Sequence, residues 1–189
     1  MIKRLMYLQL FIIVTIFIMI SVISCSRAPL LVKDGLQKPK MSAILYVANE
    51  SKEPSAAAEA QKIMFEQLNK KFYKLIPLDK SSQFVKGIGE GNVKQPEDLT
   101  EEQYKELGVD AVFFGKVERY EVDSGEITTM FVKMNWVLFD VDERERVWED
   151  QYEAVDTFEG EPTPPTVAGE TIYKNTCEKC ISKIIETLP

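Results

Sequence analysis

Histidine is absent from this 189-residue chain, and no motif in the sequence restricts its chemistry as strongly. Imidazole is the commonest general base and the commonest metal ligand near neutral pH. The composition therefore excludes a Ser-His-Asp triad, a Cys-His dyad and a histidine-bearing zinc, iron or copper site. Cysteine is scarce as well, so thiol chemistry is restricted to Cys25, Cys177 and Cys180.

Positive charge is also in short supply. The chain has 23 Lys and Arg residues against 30 Asp and Glu residues, which gives a net charge of −7, and the sequence has no basic face. Nucleic acid needs clustered Lys and Arg to displace counterions, and anionic lipid attracts the same clusters. We therefore expect no nucleic-acid partner, and any attachment to a membrane must have another source.

The first 25 residues have the three parts of an export signal. Lys3 and Arg4 are followed by an apolar run from Leu5 to Ile23, and the segment ends in Val22-Ile23-Ser24-Cys25. These last four residues resemble the bacterial lipobox. The resemblance implies that residues 1–24 are a lipoprotein signal peptide. It also implies that Cys25 receives diacylglycerol, becomes the new amino terminus and carries fatty acids such as palmitate.

The alternative is an uncleaved membrane-spanning helix, since Leu5 to Ile23 at 1.5 Å per residue extends roughly 28 Å. A spanning helix gains nothing from a small residue before a cysteine, whereas lipoprotein processing requires one, so cleavage is favoured. In bacterial lipoproteins an Asp after the lipidated cysteine signals retention in the inner membrane. Because Ser26 stands at that position, the resemblance implies the outer membrane, facing the periplasm. Removal of Lys3 and Arg4 leaves 21 basic and 30 acidic residues, a net charge of −9.

Three regions follow from this signal. Residues 1–24 are the signal peptide, and residues 25–41 are the lipidated cysteine and a tether, because Pro29, Gly35 and Pro39 interrupt any sustained period. Residues 42–189 are long enough for a single globular periplasmic domain.

Hydrophobic periodicity in this domain predicts strands, helices and turns in the order β-α-β-α-α-β-β-β-α. Thr100 and Gln103 have capping-box spacing before one helix, and Gly108 ends it. Ser55 is positioned to cap another. We expect an α/β (mixed α+β) fold in which helices pack on a mixed sheet of about five strands. The predicted strands are Ser42–Val47, Tyr73–Leu78, Val109–Glu121, Ile127–Asp140 and Arg146–Thr157, and the predicted helices are Ala56–Phe72, Asp79–Lys86, Glu101–Leu107 and Glu170–Leu188.

Two stretches resemble a family of bacterial lipoproteins with a domain like the TolB amino-terminal domain and the periplasmic (CsgG-like) domain of the curli secretion lipoprotein. They are Leu107–Val117, the entry to the third strand, and the hairpin from Leu138 to Glu149. The resemblance implies a non-catalytic envelope protein that assembles with itself or with other envelope components. The chain departs from the secretion-channel branch because it lacks additional long hairpins, and the turn Val141–Arg146 lacks the usual glycine.

Cys177-Glu178-Lys179-Cys180 is the one candidate for thiol chemistry. It lies inside the predicted last helix, whereas a thioredoxin-type site opens a helix after a buried strand. Two thiols without histidine are also a poor zinc site. We therefore favour a structural role for Cys177 and Cys180, either packed as thiols or joined in a disulfide, and we expect no metal.

Three other patterns are weak candidates. Gly87–Gly91 superficially suggests a phosphate loop but follows no predicted strand. The acidic stretch Asp140–Asp150 could bind calcium or supply paired carboxylates, although solvated turn charges explain it more simply. Asn49–Lys52 follows the first strand, where α/β sheets often bind ligands.

The leading interpretation is a lipid-anchored, non-catalytic envelope lipoprotein that acts in assembly, without catalytic residues or a cofactor. Its expected partners are the membrane, through the lipid, and other envelope proteins or copies of itself. Two alternatives stay open. One is a carboxylate-dependent cell-wall hydrolase, which needs two carboxylates across a cleft, and the other is a thiol redox protein that uses Cys177 and Cys180.

Overall fold

The computed structural model describes residues 27–124, 127–159 and 168–189. The predicted signal peptide and Cys25 lie outside this part of the chain, as do residues 125–126 and 160–167. Within the described ranges, every helix is too short or too polar to cross a bilayer.

One mixed sheet of five strands organises the fold, which confirms the predicted class. The spatial order is β1-β5-β4-β3-β2, with β2 parallel to β3 and all other neighbours antiparallel. The strands are β1 (Leu31–Val32), β2 (Ser42–Asn49), β3 (Ala111–Ser124), β4 (Ile127–Asp140) and β5 (Glu145–Glu159). The helices are α1 (Ala56–Lys70), α2 (Leu78–Ile88), α3 (Glu101–Leu107) and α4 (Ala168–Ile185), and 3-10 turns lie at Glu90–Asn92 and Pro96–Asp98.

Helices α1 and α4 cover one face of the sheet along most of its length. Strict alternation along β4 sends its apolar side chains to this face, and α1 and α4 each present one apolar stripe to meet them. The side chains that meet between the sheet and the two helices are almost fully buried. The main contributors are Met130, Val132, Met134, Trp136 and Leu138 of β4, Ala60, Met64 and Leu68 of α1, and Cys177, Ile181 and Ile184 of α4.

The opposite face is covered only at one end. Helices α2 and α3 and the 3-10 turn at Pro96–Asp98 pack there in a second, smaller core. Tyr104 of α3 stacks on Phe139 of β4 with ring centroids 5.9 Å apart, and its hydroxyl donates to the Pro96 carbonyl at 2.5 Å. Beyond this second core, no described element covers this face of β3, β4 and β5.

The limits of α3 are those predicted. Thr100 accepts a hydrogen bond from the Gln103 amide at 3.3 Å, while the Gln103 side chain accepts one from the Thr100 amide at 2.8 Å. Gly108 then adopts a left-handed conformation with φ 70°, which ends the helix at Leu107.

The predicted strand Tyr73–Leu78 is present as a single bridge. Leu75 pairs with Ser42 in parallel, but Pro77 lacks an amide proton and α2 begins at Leu78. The predicted capping of α1 by Ser55 is wrong, since the Ser55 hydroxyl donates to Glu53 Oε1 at 2.7 Å.

Residues 27–41, interpreted from the sequence as part of a tether, lie along the sheet instead. Leu31 and Val32 form β1 by pairing with Glu149 and Trp148 of β5. The Lys33 amide donates to the Val147 carbonyl at 2.9 Å, and the Met41 amide donates to Asp110 Oδ2 at 2.9 Å. We call residues 27–41 the docked segment.

Candidate functional site

Three strands present polar side chains on the sheet face that α1 and α4 do not cover. Their register places these side chains in cross-strand rows, such as Lys116, Asn135 and Gln151. All are at least partly exposed. We define the open face as Lys116, Glu118, Arg119 and Glu121 of β3, Phe131, Lys133 and Asn135 of β4, and Arg146, Glu149, Gln151 and Glu153 of β5.

A groove of about 460 Å³ lies where the open face meets the 3-10 turn at Pro96–Asp98. Lys94, Gln95 and Pro96 form one side, and open-face residues such as Asn135 and Arg146 form the other. The groove is wide, and its lining mixes charged and polar side chains with apolar ones such as Leu30, Phe114 and Val137. Clefts that bury small ligands are mostly apolar and more enclosed.

Glu118 is the centre of the open face. It lies at an irregularity in the β3–β4 register, between Val117 and Arg119. Its carboxylate accepts from Lys133 Nζ at 2.8 Å, from Gln151 Nε2 at 2.8 Å and from Lys116 Nζ at 3.0 Å. Partial burial by itself raises the pKa of Glu118, but the hydrogen bonds from the two lysines outweigh it and the pKa is lowered. Glu118 is therefore held as an anion that ties three strands together.

Arg119 organises the next row. Its guanidinium lies 3.8 Å from the centroid of the Phe131 ring and pairs with Glu121 and Glu153, each at 3.1 Å. The open face as a whole balances four cationic side chains with four anionic ones. They are Lys116, Arg119, Lys133 and Arg146, and Glu118, Glu121, Glu149 and Glu153.

Arg27 fixes the start of the docked segment to the other face of the sheet. Its guanidinium donates to Asp150 Oδ1 at 2.6 Å and lies 4.6 Å from the centroid of the Tyr152 ring. Asp150 is 1% exposed, and its second oxygen accepts from the Thr187 hydroxyl at 3.0 Å. An isolated buried carboxylate is strongly unfavourable, so Arg27 is the partner that this position requires.

The predicted acidic cluster Asp140–Asp150 is not brought together. Asp150 binds Arg27, Glu149 accepts from Asn135 Nδ2 at 2.9 Å on the open face, and Asp140 Oδ1 accepts from the Glu143 amide at 2.9 Å. Glu143 and Glu145 pair with Lys33 of the docked segment. Within the described residues, no three Cys, Asp or Glu side chains converge in a way that could hold a metal ion.

Cys177 and Cys180 are both free thiols buried between α4 and the sheet. Burial raises the pKa of Cys177 far above that of a free thiol and raises the pKa of Cys180 to about 12. The Cys180 sulfur lies 3.3 Å from the Tyr152 carbonyl. A reactive cysteine needs the opposite environment, with an accessible sulfur and a lowered pKa.

The two remaining candidate loops are occupied by local contacts. Asn49 accepts from the Ser51 amide at 3.0 Å and donates to the Glu53 carbonyl at 2.8 Å, which closes the turn after β2. The Gly87–Gly91 stretch runs from the last two residues of α2 into the 3-10 turn at Glu90–Asn92, and Gly89 between them adopts φ 99°. Neither loop has the shape of a phosphate cradle.

No family model matches the chain, and no curated protein sequence matches it. Solved structures do share its fold. The lipoprotein GNA1162 from Neisseria meningitidis is 15% identical with a TM-score of 0.57, and the match covers 78% of this chain and 99% of that one. PelC from Paraburkholderia phytofirmans, solved as a dodecamer, is 16% identical with a TM-score of 0.52 and coverage of 86% and 95%. A hypothetical protein from Chlamydia trachomatis is 11% identical with a TM-score of 0.56 and coverage of 77% and 93%.

The chain therefore shares its fold with at least one bacterial lipoprotein, GNA1162. At these identities the likeness concerns the fold alone. The finer resemblance to the TolB and curli secretion domains stays a prediction.

Two features were missed in the sequence. The polar surroundings of Glu118 were partly visible in the sequence, because the second face of β4 carries Lys133 and Asn135. A strand covered on both faces would be apolar at these positions. The Arg27–Asp150 pair had none, since its partners are 123 residues apart.

Proposed function

We propose that this chain is a lipid-anchored, non-catalytic lipoprotein of the bacterial envelope, held by Cys25 at the outer membrane on its periplasmic side. In this proposal the folded domain assembles with copies of itself through the open face. Two observations carry the proposal together. The candidate chemical groups are engaged in structural contacts, and none of the described helices or turns covers the broad open face.

The surroundings of the carboxylates and of the thiols argue against the two enzymatic alternatives. A hydrolase needs two accessible carboxylates across a cleft, whereas Asp150 is buried on Arg27 and Glu118 is held by two lysines. A redox protein needs an accessible thiol of low pKa, whereas the pKa of Cys177 and that of Cys180 are raised by burial.

Charge favours a second copy as the occupant of the open face. The mature chain carries a net charge of −9, so two copies repel each other over most of their surfaces. The open face is locally neutral and carries side chains of both signs, so it can be complementary to itself when two copies meet in opposite directions. Self-assembly also fits the dodecamer that PelC forms on the same fold.

Reversal of one open-face charge tests the proposal. Lys133→Glu places a third anion beside Glu118 and Glu153, and we expect it to weaken self-association about tenfold or more by like-charge repulsion. Sedimentation velocity of the lipidated full chain in detergent measures the effect. Thermal unfolding of the variant monomer checks that the fold is intact.

Lys62→Glu is the matched control. Lys62 is exposed on α1, on the layer opposite the open face, and the substitution makes the same change in net charge. Its self-association should remain that of the unsubstituted chain. A chain that is monomeric at every concentration, or an equal effect of Lys62→Glu and Lys133→Glu, would contradict assembly through the open face.

A further inference from the structure

The docked segment leaves almost no free chain between the predicted lipid and the folded domain. Arg27 is held by Asp150 and Tyr152, and only Ser26 separates it from Cys25. Two residues extend at most about 7 Å. A tether that was free over residues 26–40 would instead let the domain move on the order of 20 Å from the lipid.

The edge of the sheet at which Arg27 lies is unusually apolar for an exposed surface. Leu30, Leu31 and Val32 are consecutive and exposed, and the last two form β1, the outermost strand of the sheet. Val155 of the neighbouring strand β5 is exposed as well, but it pairs with Phe131 and therefore lies on the side of the open face. Leu30, Leu31 and Val32 are three of the seven exposed large apolar side chains among the described residues. We call these three residues the β1–β5 edge.

We infer that the β1–β5 edge faces the lipid bilayer and is held there by the two-residue link from Cys25 to Arg27. The inference rests on the proposed lipid at Cys25. A lipid surface explains both the short link and the apolar edge beside it. Apolar side chains next to an acyl anchor can enter the headgroup region of the bilayer. The opposite edge, formed by β2, then points away from the membrane.

Labels on the two edges test this orientation. Leu31→Cys places a thiol on the β1–β5 edge, and Lys74→Cys places one on the exposed stretch that borders β2. Cys177 and Cys180 are buried, so a fluorophore reacts with the introduced thiol. The lipidated chain is incorporated into vesicles of phosphatidylethanolamine and phosphatidylglycerol whose headgroups carry a nitroxide quencher.

Quenching at position 31 should exceed quenching at position 74 at least about threefold, because four strand spacings of about 4.8 Å separate the two edges. Equal quenching, or stronger quenching at position 74, overturns the inference. Self-quenching of the position 31 label that rises with protein density would also overturn it, since a second copy would then occupy the edge.

An insertion tests the short link without touching a folded residue. Twelve Gly and Ser residues between Ser26 and Arg27 leave the lipobox and the Arg27 contact unchanged but lengthen the link to roughly 20 Å. The difference between positions 31 and 74 should then fall severalfold, and an unchanged difference contradicts the role of the link. Chains that do not sediment with vesicles overturn the anchor itself, whereas sedimenting chains with equal quenching overturn the orientation alone.

Discussion

Gly115 shows how one residue of β3 determines the packing of the main core. It faces Trp136 across the β3–β4 ladder, and a Cβ atom at this position would lie 2.8 Å from the Trp136 ring. Trp136 is fully buried, so its ring has no free space into which it could move. The absence of a side chain at residue 115 is therefore what allows the largest side chain of β4 to lie flat on the sheet.

Gly115→Ala should lower the free energy of unfolding by about 1–3 kcal/mol, the usual result of overpacking a filled core. Urea denaturation followed by Trp fluorescence measures the change. Gly87→Ala is the control, because the site near the end of α2 has no heavy atom within 4 Å of the new Cβ. It should raise stability by about 0.5–1 kcal/mol. Stabilisation by both substitutions would contradict the packing described for Gly115.

At the scale of elements, the docked segment depends on a few strong contacts. Its strand pairing covers only Leu31 and Val32, and such a short strand is marginal without additional interactions. The Arg27–Asp150 pair supplies them before β1, and the contact of Lys33 with Glu143 and Glu145 supplies them after it. The segment and the acidic turn of the last hairpin therefore stabilise each other.

Arg27→Ala should lower the free energy of unfolding by about 2 kcal/mol. This is less than the 3–5 kcal/mol expected for a fully buried pair, because a third of the Arg27 side chain is exposed. Amide hydrogen exchange should accelerate at Lys33, whose amide donates to the Val147 carbonyl, and it measures the effect directly. Lys52→Ala, which removes a highly exposed lysine 3.7 Å from Glu121, should change neither quantity. Unchanged exchange in Arg27→Ala would show that the segment is docked by other contacts.

The elements that could be predicted are those with strong local signals. The limits of β4 and α3 are as predicted, because β4 alternates over its whole length and α3 has both a capping box and a terminating glycine. The last hairpin also formed without its expected glycine, since Arg144 adopts the positive φ of 53° that the turn requires.

The elements that could not be predicted depend on distant partners. A two-residue strand has no detectable period, so β1 is defined only by its partner β5, more than a hundred residues away. The same applies to the candidate site. The alternation of β4 indicated a mixed second face, but the meeting of Lys116, Lys133 and Gln151 at Glu118 depends on the register of three strands.

At the scale of the whole molecule, the two proposed surfaces are compatible. With the β1–β5 edge turned to the bilayer, the strands run along the membrane and the open face stands upright on one side of the domain. Copies could then meet side by side within the plane of the membrane. The acidic remainder of the surface would limit other contacts between them.

Anchoring through Cys25 is the claim on which this account depends. Intact-mass spectrometry of the protein purified from its native membrane tests it most directly, with Cys25→Ala as the control. The expected mass is that of a chain that begins at Cys25 and carries diacylglycerol, and the control should lose the lipid. A chain that begins at Met1 with unmodified Cys25 would contradict the account.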